Sequence, residues 1–305
     1  MNISSRPISD EADKLQMLAL SRQFPADNLR VTDLPYRLGS WALDEPENTR
    51  LWFDAQSRLF AWAVLQTPFW FIDYAFHPEA ASLHPEILNW ADERARQSRE
   101  TPFGHSCWFV TVFPDQAERM RELEAAGFSN QAEVGEDSWS KVFLQRPGDL
   151  LVKEYRIPPG FVVRSLAGKD EITAYVELHQ TVFESKNMTL EWRQRTLEHP
   201  DYVPNLDIVV ASPDGKLAAF CICWLQQVEG RLIGQVEPLG CHPDFRKYAL
   251  GRIALAEGLR RLQAHGAEVI QVETDSYRNT AFRLYESMGF SAAKDVFVFR
   301  KDYAE

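Results

Sequence analysis

The 305-residue sequence is most informative first for what is scarce in it. No apolar run approaches the ~20 residues that cross a bilayer. The start, Met1-Asn2-Ile3-Ser4-Ser5-Arg6-Pro7, lacks the apolar core of a signal peptide. A cytoplasmic chain with no membrane partner is expected. Cysteines number only four, Cys107, Cys221, Cys223 and Cys241, and they form no zinc spacing. Packed, reduced thiols are therefore expected, with no metal and no disulfide frame. Cys221 and Cys223 alternate along an apparent strand and should share one face. Basic charge is also short: the formal net charge is -11 at pH 7. Such a surface repels phosphate, which excludes a general nucleic-acid binder while leaving room for a local basic patch around one anion. Neither a GxGxxG fingerprint nor a Walker A loop occurs.

What is present is ordinary globular composition, 45% hydrophobic and 25% charged, and length enough for two cores of about 150 residues each. The chain contains one unit twice. In the second half, Phe161–Leu166 alternates as a strand, and Asp170–Glu184 and Thr189–His199 carry helical spacing. Strands are expected at Leu206–Ala211, Lys216–Val228, Leu232–Cys241, Val269–Glu273 and Ala292–Arg300. Helices are expected at Ala249–His265 and Asn279–Ser287. The first half offers strands at Asn48–Asp54, Leu59–Gln66, Phe69–Phe76, Trp108–Phe113 and Gln131–Leu144, with helices at Pro85–Gln97 and Asp115–Ala126. Two anchors fix the repeat: His77-Pro78-Glu79 matches His242-Pro243-Asp244, and Gly127-Phe128 matches Gly289-Phe290. The expected division is a first domain at 1–146, a linker at 147–160 and a second domain at 161–305.

The stretch Leu239-Gly240-Cys241-His242-Pro243-Asp244-Phe245-Arg246-Lys247-Tyr248-Ala249-Leu250-Gly251-Arg252 follows a strand and opens a helix. A basic strand–loop–helix turn with small residues can cradle an anion, because free backbone N–H groups and the helix dipole face it. Gly251 would let the backbone approach closely, with Arg246, Lys247 or Arg252 adding charge. On physical grounds alone, an ordinary amphipathic helix behind a basic turn fits equally well.

Two signatures break the tie. Arg246-x-x-Ala249-x-Gly251 resembles the Q/R-x-x-G-x-G/A acyl-CoA signature of the GCN5-related N-acetyltransferases (GNATs). Asn279-Thr280-Ala281-Phe282-Arg283-Leu284-Tyr285-Glu286-Ser287-Met288-Gly289-Phe290 resembles their second signature, with Ala281 one place early. The Glu237-Pro238 pair resembles the tandem, mycothiol-synthase-like branch. The resemblance implies an α+β fold of two tandem GNAT domains, each a mixed, mostly antiparallel sheet flanked by helices. It implies acetyl-CoA as co-substrate, lying where two central strands splay apart. Pro238, lacking an N–H, gives a reason for a bulge or gap there. By resemblance, the backbone of Leu239, Gly240 and Cys241 would hold the pantetheine and acetyl carbonyl. The loop Arg246, Lys247, Tyr248, Ala249, Leu250, Gly251 and Arg252 would hold the pyrophosphate, and Asn279 and Phe282 would flank the cofactor.

Acyl transfer to an amine requires one proton to leave the acceptor and one to reach the departing thiolate. Glu237, partly desolvated beside a splayed strand, is the candidate base, directly or through a water; a structural carboxylate is the plain alternative. Gln235, two residues earlier on the same face, could order that water. Tyr285 is the candidate acid by resemblance, against a simple packed tyrosine. Cys241 has no evident base beside it and reads as packing.

The expected reaction is acetylation of a small-molecule amine such as an amino acid, polyamine or aminoglycoside-like compound. Phe183–Trp192 would form the acceptor loop, with Glu184 and Glu191 available to a cation. The alternative is a non-catalytic acetyl-CoA-binding or protein-interaction module. A monomer or homodimer is expected. The first copy reads His77-Pro78-Glu79-Ala80-Ala81-Ser82-Leu83-His84-Pro85-Glu86-Ile87, with no Arg, Lys or Gly, and Leu123 stands where Tyr285 stands. It reads as a degenerate scaffold. That half holds Trp41, Trp52, Trp62, Trp70, Trp90, Trp108 and Trp139 of nine tryptophans, expected mainly as core.

Overall fold

A computed structural model describes residues 3–29, 31–135 and 139–303. In chain order the elements are β1 (Ser4–Arg6), α1 (Glu11–Gln23), α2 (Leu34–Leu38), β2 (Thr49–Phe53), β3 (Leu59–Gln66), β4 (Phe71–Phe76), α3 (His84–Ser98), β5 (Cys107–Val112), α4 (Ala117–Ala125) and β6 (Ser129–Asn130). They continue with β7 (Lys141–Pro147), β8 (Val162–Ser165), α5 (Ile172–Phe183), α6 (Leu190–Glu198), β9 (Asp207–Ala211), β10 (Leu217–Val228), β11 (Arg231–Cys241), α7 (Leu250–Ala264), β12 (Val269–Asp275), α8 (Asn279–Ser287) and β13 (Ser291–Asp302). The expected α+β architecture of mixed sheets with flanking helices is what the chain adopts.

The chain forms two compact units that are not contiguous in sequence. The first contains the residues up to Val142, with Asp275–Tyr277 and the residues from Lys294 onward; the second contains Phe143–Thr274 and Arg278–Ala293. In the first unit the strands run β1-β2-β3-β4-β5-β13. All neighbours are antiparallel except β4 and β5. β3 is apolar almost throughout because both its faces are covered. Phe60, Ala63 and Leu65 meet a core with Ile87 and Leu88 of α3, while Trp62 and Val64 meet Met17 and Leu18 of α1. Trp52, Trp62 and Trp108 are at most 1% exposed, so these tryptophans are core.

In the second unit the order is β7-β12-β11-β10-β9-β8. β10 pairs antiparallel with β9 and β11, while β11 and β12 are parallel. α7 packs across β9, β10 and β11. Its Gly258 is a close-approach position: a Cβ there would lie 2.9 Å from the sulfurs of Cys221 and Cys223, which share one face 3.8 Å apart as free thiols. α5 covers β10 and β11; a Cβ at Gly240 would come within 2.4 Å of the Phe220 ring and 2.7 Å of Val182.

Two expectations need correction. Gln131–Leu144 is not one strand: β6 ends at Asn130, whose side chain accepts from the Ala132 N–H and opens a 3-10 turn at Gln131–Glu133. The strand resumes only as β7, and residues 136–138 of the expected strand lie outside the described residues. The opening segment, given no element from its pattern, holds α1 and α2. α1 is capped by Asp10, which accepts from the Asp13 N–H, and is braced by an Arg6–Asp13 ion pair at 2.6 Å.

Candidate active site

The site in the second unit begins where two strands part. β11 and β12 pair at Ile233↔Val269, Gly234↔Ile270 and Gln235↔Gln271; beyond that both strands continue, to Cys241 and Asp275, with no further pairing between them among the described residues. At the same level the β10–β11 ladder slips. Cys223 faces Val236 but Cys221 faces Leu239, so Glu237 and Pro238 are accommodated as a bulge. The irregularity expected from Pro238 is present, and the Glu237–Pro238 peptide is cis. The Trp224 indole N–H donates to the Glu237 carbonyl at 2.8 Å.

Beyond β11 the chain enters a six-residue 3-10 turn, Pro243–Tyr248, capped by His242, whose Nδ1 accepts from the Asp244 N–H at 3.2 Å. It then reverses hand: Ala249 has φ 55° and ψ 30°, a conformation a β-carbon disfavours. That reversal separates the turn from α7 and leaves the first N–H groups of the helix facing out of it. Arg246, Lys247, Tyr248, Ala249 and Arg252 are exposed; the Leu250 side chain is buried, so only its backbone faces the turn. In front of Gly251 there is space, since an added Cβ would meet only Cys241, at 3.6 Å. A basic, open turn with outward N–H groups fits a pyrophosphate, and the parted strands fit an extended pantetheine.

Tyr285 lies on α8 and is 7% exposed. Burial, then the charge of Glu237, raise its phenol above the ordinary range, with Arg278 opposing; it is a protonated group that senses Glu237. Cys241 is likewise raised by burial, against the Gly251 N–H and the charge of Arg246, and remains a thiol. Gln235 is buried. Asn279 is exposed at the start of α8, with Phe282 half-buried one turn on. The parted strands, the turn and α8 thus hold the cofactor-binding and catalytic candidates singled out from the sequence, Gly240 among them on β11, whereas Glu184 and Glu191 of the expected acceptor loop lie at the end of α5 and in the first turn of α6. The pattern missed a buried cluster: Tyr175 of α5, Arg193 of α6, Asp207 of β9 and Tyr202. Its members sit on separate elements, and no spacing announces them.

The first unit contains the matching turn. His77 caps a six-residue 3-10 turn, Pro78–Leu83, with its Nδ1 accepting from the Glu79 N–H at 3.1 Å, and a 15-residue helix follows, as in the second unit. At the position of Ala249, however, His84 has φ -57° and simply begins α3. Its buried ring bonds the Tyr74 hydroxyl at 2.9 Å and Glu122 at 2.5 Å.

The profile of the Acetyltransferase (GNAT) family matches residues 169–290. The match is confined to the second half of the chain, and the fold as a whole is that of tandem GNAT proteins. A tandem GNAT protein from the clavulanic acid biosynthesis pathway superposes over 100% of this chain and 99% of its own, with TM-score 0.65 at 12% identity. A GCN5-related N-acetyltransferase from Sphaerobacter thermophilus does so over 98% and 95%, with TM-score 0.62 at 16% identity. Among curated sequences, the mycothiol acetyltransferase of Thermomonospora curvata is 29% identical over 153 residues, 48% of this chain and 50% of its own. That of Thermobispora bispora is 30% identical over 158 residues, 48% of this chain and 52% of its own. The chain spans about half the length of the curated relatives it matches. Among the described residues, no helix is long and apolar enough to cross a membrane.

Proposed function

We propose that the second unit transfers an acetyl group from acetyl-CoA to the amine of a small molecule. The observation that carries this reading is the conjunction of parted strands with the left-handed turn at Ala249, next to a carboxylate and a protonated phenol in electrostatic contact. The mycothiol acetyltransferase relatives support a small amine acceptor over a protein one. Acetyl-CoA would supply an activated thioester. Arg246–Arg252 would hold its pyrophosphate, Leu239 and Cys241 its pantetheine by main-chain bonds, and Asn279 and Phe282 its far side. Glu237 would take the proton from the amine nitrogen, directly or through a water on the Gln235 face. Tyr285 Oη would give its proton to the departing sulfur. The first unit is read as lacking an acetyl-CoA site, because His84 fills the corresponding turn, Pro85 removes an N–H, and Glu79 and Glu86 oppose a pyrophosphate.

Calorimetric titration of acetyl-CoA tests the reading, with Gly251→Asp as the matched variant. One site per chain is expected, weakened by about two orders of magnitude when a carboxylate occupies the space before Gly251. Two sites would overturn the reading of the first unit. No binding would overturn acetyl transfer and favour an interaction module. Release of CoA thiol with a panel of amines then identifies the acceptor.

A further inference from the structure

The polar cluster beneath α5 has more hydrogen-bonding capacity than it uses. Arg193, Tyr175 and Asp207 are 0% exposed. Arg193 Nη2 donates to Asp207 Oδ2, and the Tyr202 hydroxyl donates to the same oxygen at 2.7 Å. The Arg193 guanidinium lies 3.7 Å from the centre of the Tyr175 ring. Four buried atoms then have no hydrogen-bond partner among the described residues: Arg193 Nε and Nη1, Asp207 Oδ1 and Tyr175 Oη. Two donors, one acceptor and a phenol that can do either complement an internal water, which takes two to four such partners.

The cluster sits against the strand that carries Glu237. The Tyr175 ring lies 5.2 Å from that of Phe220, the ring against which Gly240 of β11 is pressed. On β11, Gly234 and Cys241 face α7 (Leu262 and Gly251), whereas Gly240 faces α5. Alternation from Gly234 therefore turns Gln235 and Glu237 toward the α5 side before the bulge changes the parity. Tyr175 is raised by burial, lowered by Arg193, and raised by the charges of Asp207 and Glu237, so the two groups are within electrostatic reach. Other titratable groups around this region are Tyr285 from α8 with Arg278 ahead of it, and His179 of α5. Burial, then the charge of Arg193, push His179 down to about 3, so it is neutral.

Resting on the acetyl-transfer reading, we propose that Tyr175 is a positioning residue for Glu237, its phenol proton reaching the carboxylate through a buried water held by Arg193 and Asp207. The hydrogen-bonded chain would fix the orientation of the base; the proton Glu237 takes from the amine stays on its carboxyl until it is lost to solvent.

The test is Tyr175→Phe, which keeps the ring against Phe220 and Arg193. The Glu237 carboxyl is followed by carbon NMR over a pH titration, with Glu237→Gln to assign the resonance. Losing a donor to the charged form should raise the Glu237 titration midpoint by about half a pH unit or more. The acid limb of kcat/KM should move the same way, with kcat down about tenfold and KM for acetyl-CoA unchanged. A midpoint within about 0.1 unit of wild type overturns the proposal, since that is far below the effect of a lost hydrogen bond to a carboxylate. A high-resolution crystal structure with no water bonded to both Tyr175 Oη and Arg193 overturns it independently. If no amine is acetylated by the wild type, the acyltransfer reading falls alone, because the NMR midpoint needs no turnover.

Discussion

The two His-Pro turns were built from the same local instructions and end differently. In each, a strand delivers a histidine whose ring caps a six-residue 3-10 turn, and a 15-residue helix follows. The difference is one residue, His84 at φ -57° against Ala249 at φ 55°. Where the chain continues right-handed, the helix start is closed over by its own side chains: His84 is clasped by Tyr74 and Glu122, and Glu86 accepts from the Trp52 indole at 2.7 Å. Where it reverses, N–H groups and basic side chains remain outside. The proposed anion cradle and an ordinary helix start therefore differ in the backbone conformation of a single residue.

The comparison extends five residues upstream of each histidine, to Ile72, which is 2% exposed core, and Glu237, which lies in the bulge. If Glu237 is the group that makes one copy active, Glu237→Gln should lower kcat between about a hundredfold and ten-thousandfold at neutral pH while leaving calorimetric acetyl-CoA binding intact. An unchanged rate would reduce Glu237 to a structural carboxylate and erase this contrast.

A smaller effect is expected where His84 closes the first turn. Burial sets its imidazole below the ordinary value, against the pull of Glu122, and the buried Tyr74 phenol is pushed up to about 12 by the same cause. His84→Ala would leave both partners short of a hydrogen bond and should cost about 2–3 kcal/mol in denaturant unfolding, without creating an acetyl-CoA site. Appearance of a second calorimetric site would show that His84 alone is the plug.

The smallest effect is Ala249→Gly. Relieving a β-carbon in the left-handed region should stabilise the protein by about 1 kcal/mol, visible as a raised Tm, with acetyl-CoA affinity equal or tighter. Destabilisation would mean that the turn is held open by something other than its own backbone.

The sequence made the turns visible because their information is local. A His-Pro pair, the basic run Arg246-Lys247 and the Asn279–Phe290 stretch sit within one supersecondary unit, and Pro238 signals its own bulge by what it lacks. The conformation of Ala249 was not legible, because alanine rarely adopts it and only the surrounding fold imposes it. Arg193, Asp207 and Tyr175 were invisible for a different reason: each is an ordinary residue of its own element, and they become a cluster only when α5, α6 and β9 are packed. Gln131–Leu144 read as one strand because apolar alternation outweighed a single Asn130 turn. The roles of Glu237, Tyr285 and the loop residues rest on the tests above.

The discontinuity of the first unit has a consequence for synthesis. Val296, Val298 and Phe299 of β13 are fully buried, and β13 pairs with β5 from Phe297↔Val112 to Asp302↔Cys107. On the ribosome, β5 therefore waits through more than half the chain with one ladder edge open. The half made first cannot close its sheet until nearly all of the half made last has emerged, so the order of translation is not the order of completion, and nascent chains that stall before β13 expose that strand edge to whatever holds unfinished proteins.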